Sequence, residues 1–198
     1  MLPELLVVVA GYLLGTFPTA ALVGRVAGVD PTASGSGNPG ATNVYRTAGR
    51  GAGAAVLLVD VAKGATAAGL ALAVGDHTLG VVAGAAAVLG HVLPIGRHGG
   101  KGVATACGMA AVCYPLLSLA LGAVFVVVVA LTRRASVGSL VLALLLPVGV
   151  ALGGHDGVEV LVTTGVSLVV IARHHENIRR LLRHEETPVR PREAPDTP

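Results

Sequence analysis

The chain of 198 residues has no tryptophan, two phenylalanines, three tyrosines and two cysteines, and only 13 % of its residues are charged. Each shortage excludes something. Too few aromatics are present for stacking platforms under bases or for girdles at two membrane interfaces, and no basic helix with interleaved aromatics occurs, which excludes a nucleic-acid partner. Cys107 and Cys113 lie in one apolar stretch at a spacing that matches no metal motif, so they read as small buried hydrophobes. The first residues, Met1-Leu2-Pro3-Glu4, offer no positive flank, and Leu5–Val23 reads as a retained span rather than a cleaved signal. What fills the place of charge is apolar: 53 % of residues are hydrophobic and the mean hydropathy is +0.76. That much apolar surface calls for a bilayer as solvent.

Seven apolar segments can be counted, at about 4–24, 53–74, 77–92, 103–114, 115–131, 137–152 and 157–173. In lipid each must satisfy its own backbone, so the predicted fold class is an all-α integral membrane protein of about seven transmembrane helices. Several are shorter than the roughly 20 residues that cross a hydrocarbon core, most clearly 103–114, and short helices belong where protein encloses a cavity. The 28 glycines allow close approach of helix backbones.

The 14 Lys and Arg residues fix the expected orientation, because all fall on one side of these segments. With the N-terminus outside, the connections 25–52, 93–102, 132–136 and 174–198 lie inside and carry nearly all of them. The opposite connections, near Gly75-Asp76, Tyr114-Pro115 and Gly153–Gly157, carry none. An odd number of crossings places the C-terminus in the cytosol. Residues 1–183 read as one polytopic domain, and 184–198, rich in proline and charge, as a disordered cytosolic tail.

Three polar islands share the basic side. The first, Gly35–Arg46, combines Gly35, Gly37 and Gly40 with Ser36, Asn38, Thr42, Asn43 and Arg46. Glycines supply backbone N–H groups for an anion nest, the hydroxyls and amides add donors, and arginine adds a bidentate fork for phosphate. The second contains His91 and then Gly99-Gly100-Lys101-Gly102 leading into an apolar helix, which sets Lys101 and free amides at a helix N-terminus. The spacing of its glycines and the lack of a hydroxyl residue after Lys101 exclude a nucleotide P-loop. The third begins at Arg173-His174-His175, with His174, Asn177 and Leu181 on one helical face. His174 and His175, as helix neighbours, point apart, and no metal site is expected. Asp60 and Lys63, three residues apart inside a span, face the bundle interior, and Ser139 sits near the same face. His77 and His155 fall on the opposite side and receive no role.

Taken in order, these motifs resemble the bacterial acyl-phosphate:glycerol-3-phosphate acyltransferase family. Gly-Ser-Gly-Asn-x-Gly-Ala-Thr-Asn-x-x-Arg at 35–46, Gly-His-x-x-Pro followed by Gly-Gly-Lys-Gly-Val-Ala-Thr, and His-x-Glu-Asn-Ile-x-Arg-Leu from His174 are similar to its three motifs, and the likeness spans about 5–183. There are two departures. Four residues separate Pro94 from Gly99 where the family has about six, and His175 stands where Arg is common. The resemblance implies transfer of a fatty acyl group from acyl-phosphate to the 1-hydroxyl of glycerol 3-phosphate at the cytosolic face of the inner membrane. Lysophosphatidate and phosphate are the products, membrane lipid surrounds the enzyme, and no cofactor takes part. Ser36, Arg46, Lys101, His174 and Asn177 are the expected catalytic groups. Gly35, Gly37, Asn38, Gly40, Thr42 and Asn43 would hold the acyl-phosphate headgroup, and Gly99, Gly100 and Gly102 the phosphate of glycerol 3-phosphate, with Ser139 completing the pocket. The proton acceptor is a substrate phosphate oxygen, His91 or His174.

Two rivals come from other classes. An anion or phosphate transporter also uses basic half-helices, but it needs charge near the midplane and access from both faces. An intramembrane serine protease with Ser36 as nucleophile needs that serine inside a span rather than among glycines beside basic groups.

Overall fold

A computed structural model describes residues 1–189. Among them there are ten helices and no strand: α1 (Leu2–Gly15), α2 (Thr19–Val26), α3 (Ala41–Ala48), α4 (Arg50–Leu72), α5 (His77–Val92), α6 (Val103–Cys113), α7 (Pro115–Thr132), α8 (Ala135–Leu152), α9 (Gly157–Arg173) and α10 (His175–Leu182). The all-helical reading therefore holds. Four stretches are long and apolar enough to cross a membrane: α1 with α2, α4, α7 and α8. A fifth is added if α9 and α10, bent by 56° at His174, count as one. At about 1.5 Å per residue, the 11 residues of α6 reach only about half of a hydrocarbon core.

The structure corrects the sequence reading at four places. The segment 4–24 is broken, not continuous, because Pro18 cannot extend the preceding helix. Half of the first island is helix, since Thr42, Asn43 and Arg46 belong to α3. Asp60 and Lys63, expected to face the bundle interior, are joined to each other at 2.7 Å, and Lys63 Nζ also donates to the Phe17 carbonyl at 2.7 Å. The break at Pro18 takes that carbonyl out of the helical ladder, where it accepts from Thr19 N (2.9 Å) as well, so the buried lysine answers both the Asp60 charge and a carbonyl at a helix break. Residues 184–189, counted with the disordered tail, instead fold back onto the bundle. Val189 N donates to Arg133 O at 2.8 Å, and Glu186 is only 4 % exposed. The remainder of that tail lies outside the described residues.

Small residues bring the helices together. A Cβ at Gly64 of α4 would stand 1.9 Å from Thr105 O of α6, and one at Gly108 of α6 would stand 1.9 Å from Val61 O of α4. Gly15 and Gly90 make equally close backbone contacts between α1 and α5. These approaches hold a core of Val81, Val88, Met109 and Val150, each fully buried. The outer helix α7 leaves Leu116, Leu119, Val126 and Leu131 exposed, as a lipid-facing helix should.

Candidate active site

Chain direction decides what gathers at the polar end. Helices α5 and α9 finish there, α3 and α6 begin there, and the loop Val29–Gly40 and residues 183–189 fold over it. Between them lies a cavity of about 380 Å³. Its mouth is polar, with Ser36, Arg46, Lys101, His174 and Asn177 on its wall, and its depth is apolar, reaching Leu121, Gly122, Phe125, Leu142 and Leu146 between α7 and α8. The first turns of two helices open into the mouth: Ala41 and Thr42 of α3, and Val103 and Ala104 of α6. The leading N–H groups of a helix have no partner within it, so both termini offer donors to an anion.

All five expected catalytic residues meet at this mouth, as do Asn38, Gly40, Thr42, His91, Gly102 and Ser139. Lys101 Nζ donates to Asn177 Oδ1, and Asn177 Nδ2 donates to Glu186 Oε1 at 2.6 Å. Burial, reinforced by the nearby Arg180 charge, holds the Lys101 ammonium down at about 8. Arg46 donates to Thr187 O at 2.7 Å while its buried Nε has no partner among the described residues. Burial lowers the Arg46 guanidinium as well, although it stays cationic. His174 is 2 % exposed and its Nδ1 hydrogen bonds Val170 O at 2.8 Å. Donation from Nδ1 leaves Nε2 as the lone-pair nitrogen.

Other expected residues shape the mouth rather than line it with donors. Asn43 was read as a phosphate donor; instead its amide clamps the first loop. Nδ2 donates to Pro31 O (2.8 Å) and Ser34 O (3.0 Å), and Oδ1 accepts from Ser36 N (2.8 Å). Gly35 and Gly37 have positive φ (61° and 69°), and a Cβ at Gly35 would stand 2.3 Å from Asn43 Oδ1, so glycine is required there for both reasons. The structure also moves Gly99 and Gly100 from the expected cradle to its foundation. Gly100 N donates to His91 O at 3.1 Å, and both carbonyls accept from Arg173, at 2.7 Å from Gly99 and 3.2 Å from Gly100. His91 packs its Nε2 under Gly100, where a Cβ would stand 2.1 Å away, with Nδ1 3.7 Å from Asp60. It supports the loop, and its side chain, 9 % exposed, stands at the edge of the cavity. Ser139 donates to Ala135 O of its own helix at 2.9 Å.

Sequence reasoning gave no role to Arg180, which it placed only within the third motif, nor to Arg134 or Glu186. The Glu186 carboxylate accepts from Arg180 Nε at 2.7 Å as well as from Asn177, and its backbone carbonyl accepts from Arg134 Nε at 3.2 Å. Burial alone would raise the Glu186 carboxyl, but Ser136, Asn177 and Arg180 around it hold it below the ordinary range. Nothing in the sequence separates Glu186 from Glu185 beside it; only the backbone path does.

The sequence matches the family profile described as glycerol-3-phosphate acyltransferase over residues 5–184. Similar proteins bearing that name occur in Geobacter sulfurreducens, 46 % identical over 91 % of this chain and 95 % of the relative, and in Shewanella sp. strain MR-4, 43 % identical over 98 % and 97 %. Two solved structures of PlsY (YgiH), an integral membrane glycerol 3-phosphate acyltransferase, superpose on it with TM-scores of 0.90 and 0.87. Each is 32 % identical and covers 93 % of this chain and 94 % of the other; one is a glycerol 3-phosphate form and the other a lysophosphatidic acid form. With motifs, fold and site geometry in agreement, this chain belongs to the membrane-integral glycerol-3-phosphate acyltransferase family.

Proposed function

We propose that the protein transfers a fatty acyl group from acyl-phosphate to the 1-hydroxyl of glycerol 3-phosphate, giving lysophosphatidate and inorganic phosphate. The observation that carries this reading is the continuity of the cavity, from a cationic mouth with two helix N-termini to an apolar channel between α7 and α8. A phosphate binds at the first and a hydrocarbon chain in the second, and an amphiphilic donor needs both in one space. The glycerol hydroxyl oxygen attacks the acyl carbonyl, the bond from that carbon to the phosphate oxygen breaks, and the hydroxyl proton ends on the departing phosphate. Arg46 and Lys101 stabilise the charge that develops on the oxyanion and the leaving group. His174 Nε2 orients the hydroxyl, while His91 supports the loop under Gly100. Because the donor is already activated, the protein's task is to align two bound substrates.

In this reading the chain crosses the inner membrane seven times, α5 and α6 included, with the N-terminus outside and the site open to the cytosol. The absence of Lys and Arg from the opposite connections supports that orientation. The test is an acyl-transfer assay on purified protein in detergent, with palmitoyl-phosphate in the presence and absence of glycerol 3-phosphate and palmitoyl-CoA as a parallel donor. Phosphate release that requires glycerol 3-phosphate and tracks lysophosphatidate is expected. Transfer from palmitoyl-CoA alone would move the donor assignment, and no transfer by folded protein would return an anion transporter to first place.

A further inference from the structure

The end of the bundle opposite the cavity holds a second cluster that the acyl transfer does not use. His77 starts α5, Tyr114 follows α6, and His155 and Glu159 flank the start of α9. Glu159 is 3 % exposed, and three groups beside the histidines address its carboxylate or the ring next to it. Tyr114 Oη donates to Oε2 at 2.9 Å, Thr78 Oγ1 donates to Oε1 at 3.1 Å, and Cys113 O lies 2.7 Å from His77 Nε2.

His77 defines the problem. A carbonyl can only accept, so Nε2 carries the hydrogen given to Cys113 O. In a neutral ring Nδ1 is then a lone pair, yet it lies 2.8 Å from Glu159 Oε1, also an acceptor. A lone pair facing a carboxylate needs a positive charge between them. The second ring supplies another nitrogen at the same place: His155 is stacked on His77 with centroids 5.5 Å apart and planes 15° apart, and its Nδ1 lies 3.4 Å from Glu159 Oε2. A ring whose outer N–H is fixed by a backbone carbonyl while its other nitrogen points at a carboxylate has the usual posture of a metal-binding histidine. The nearby aspartates are engaged elsewhere, Asp76 on Leu79 N and Asp156 on Val158 N.

We propose that His77, His155 and Glu159 form a binding site for a divalent transition-metal ion of the zinc type at this end of the bundle. Their ligand atoms lie within 4.8 Å of one another. Around tetrahedral zinc, ligand atoms bonded at about 2.0–2.1 Å stand roughly 3.3 Å apart, so the Glu159 carboxylate, which meets His77 through Oε1 (2.8 Å) and His155 through Oε2 (3.4 Å), must turn to offer one oxygen, and ligand atoms spread over up to 4.8 Å must draw in. Both imidazoles can make that adjustment and admit the ion from solvent, since their side chains are 39 % and 36 % exposed. Two imidazoles and one carboxylate favour zinc over magnesium or calcium, which prefer oxygen ligands throughout, and leave a coordination position for water. The ion would tie the start of α5 to the start of α9, stabilising the bundle without touching the acyl-transfer cavity.

The test uses the full chain in detergent, stripped with EDTA and titrated with zinc chloride by calorimetry, with cobalt(II) absorption reporting geometry. Saturable binding of about one equivalent, a tetrahedral cobalt spectrum and a raised thermal midpoint are expected. His155→Ala and Glu159→Gln should each weaken binding at least tenfold, with acyl transfer by His155→Ala unchanged. His155 is exposed, so its variant decides the matter if Glu159→Gln does not fold. No saturable binding, or equal binding by wild type and His155→Ala, overturns the proposal; the charge between His77 and Glu159 is then the imidazolium proton alone.

Discussion

Each end of this bundle buries a glutamate and surrounds it with donors, yet the two surroundings differ in a way that decides what each end can bind. Glu186 sits among Arg180, Arg134, Asn177 and, through Asn177, Lys101, with Arg46 beside it. Glu159 sits among His77, His155, Tyr114 and Thr78, with no Lys or Arg hydrogen-bonded or ion-paired to it among the described residues. The first carboxylate is outnumbered by permanent cations, so its pocket has positive charge to spare and suits an anion. The second has only titratable or neutral partners, so a cation balances it. A buried acid alone therefore predicts nothing about ligand charge; the count of fixed charges around it does.

The sharpest break in that comparison is removal of the lysine cation that faces the cavity. Lys101→Met should lower kcat/KM for glycerol 3-phosphate acylation by about 10²–10³, the loss typical of one positioned donor to developing negative charge. Steady-state kinetics on folded protein checks this, and a variant within fivefold of wild type would remove Lys101 from the reacting centre. No comparable loss is expected from any substitution at the histidine end.

The next effect is on stability. Glu186→Gln keeps the shape of the side chain but leaves Arg180 only its longer, exposed pair with Glu176 at 3.8 Å. Breaking a well-buried pair costs about 3–5 kcal/mol, but Arg180 is 29 % exposed and solvent screens part of the loss, so about 2 kcal/mol is the reasonable expectation. Denaturation in detergent against wild type measures it. An unchanged midpoint would mean that Glu186 is not the clasp that folds residues 184–189 over the site.

Much of this architecture was legible in the sequence, for physical reasons that also explain what was not. Charge asymmetry and hydropathy are sums over many residues, so the helical segments and the polar end could be read without knowing any contact. Lys101, His174 and Asn177 could be grouped because glycine spacing and helical periodicity are local. Asn43 and Gly100 were assigned to the substrate because their chemistry suits it, but which partner an amide finds depends on the loop path, and here Pro31, Ser34 and His91 take those bonds. Glu186 was invisible because its role comes from a reversal of chain direction after α10. His77 and His155 received no role, and Glu159 no mention, for a similar reason: α5 and α9 begin at the same end of the bundle, but nothing along the chain says that they are neighbours.

A smaller effect follows from pH. The lysine in the free site loses its proton near 8, below the ordinary lysine value, whereas the phosphate of glycerol 3-phosphate is a dianion above about pH 7. Bound phosphate favours protonated Lys101. Affinity should therefore be level from about pH 7 to 8 and fall above it, by at most about tenfold per pH unit, until the proton of the bound complex is lost as well. A rise in KM for glycerol 3-phosphate across pH 8–9 is the expected readout. In Glu186→Gln the midpoint should move lower still, because a nearby negative charge that favours the ammonium is gone. Glu159→Gln should leave it in place, which makes the pH profile a direct comparison of the two ends.

The smallest effect distinguishes two adjacent histidines. His174 is 2 % exposed and turned into the cavity wall, whereas the His175 side chain is 64 % exposed, with Nδ1 3.0 Å from Ala172 O. A helical step of about 100° between neighbours separates them, so proximity in sequence gives His175 no share in the site. His175→Gln should change kcat/KM by less than about twofold, the scale of an exposed substitution away from any buried contact. His175→Arg restores the residue type common at this position and adds a charge that the solvent largely screens, so it should be equally mild. His174→Gln, by contrast, removes the nitrogen assigned to orient the glycerol hydroxyl and should be felt mainly in kcat. Equal losses from both histidine variants would mean that α10 acts on catalysis as a rigid unit, and that the single face drawn here through His174 and Asn177 is too narrow.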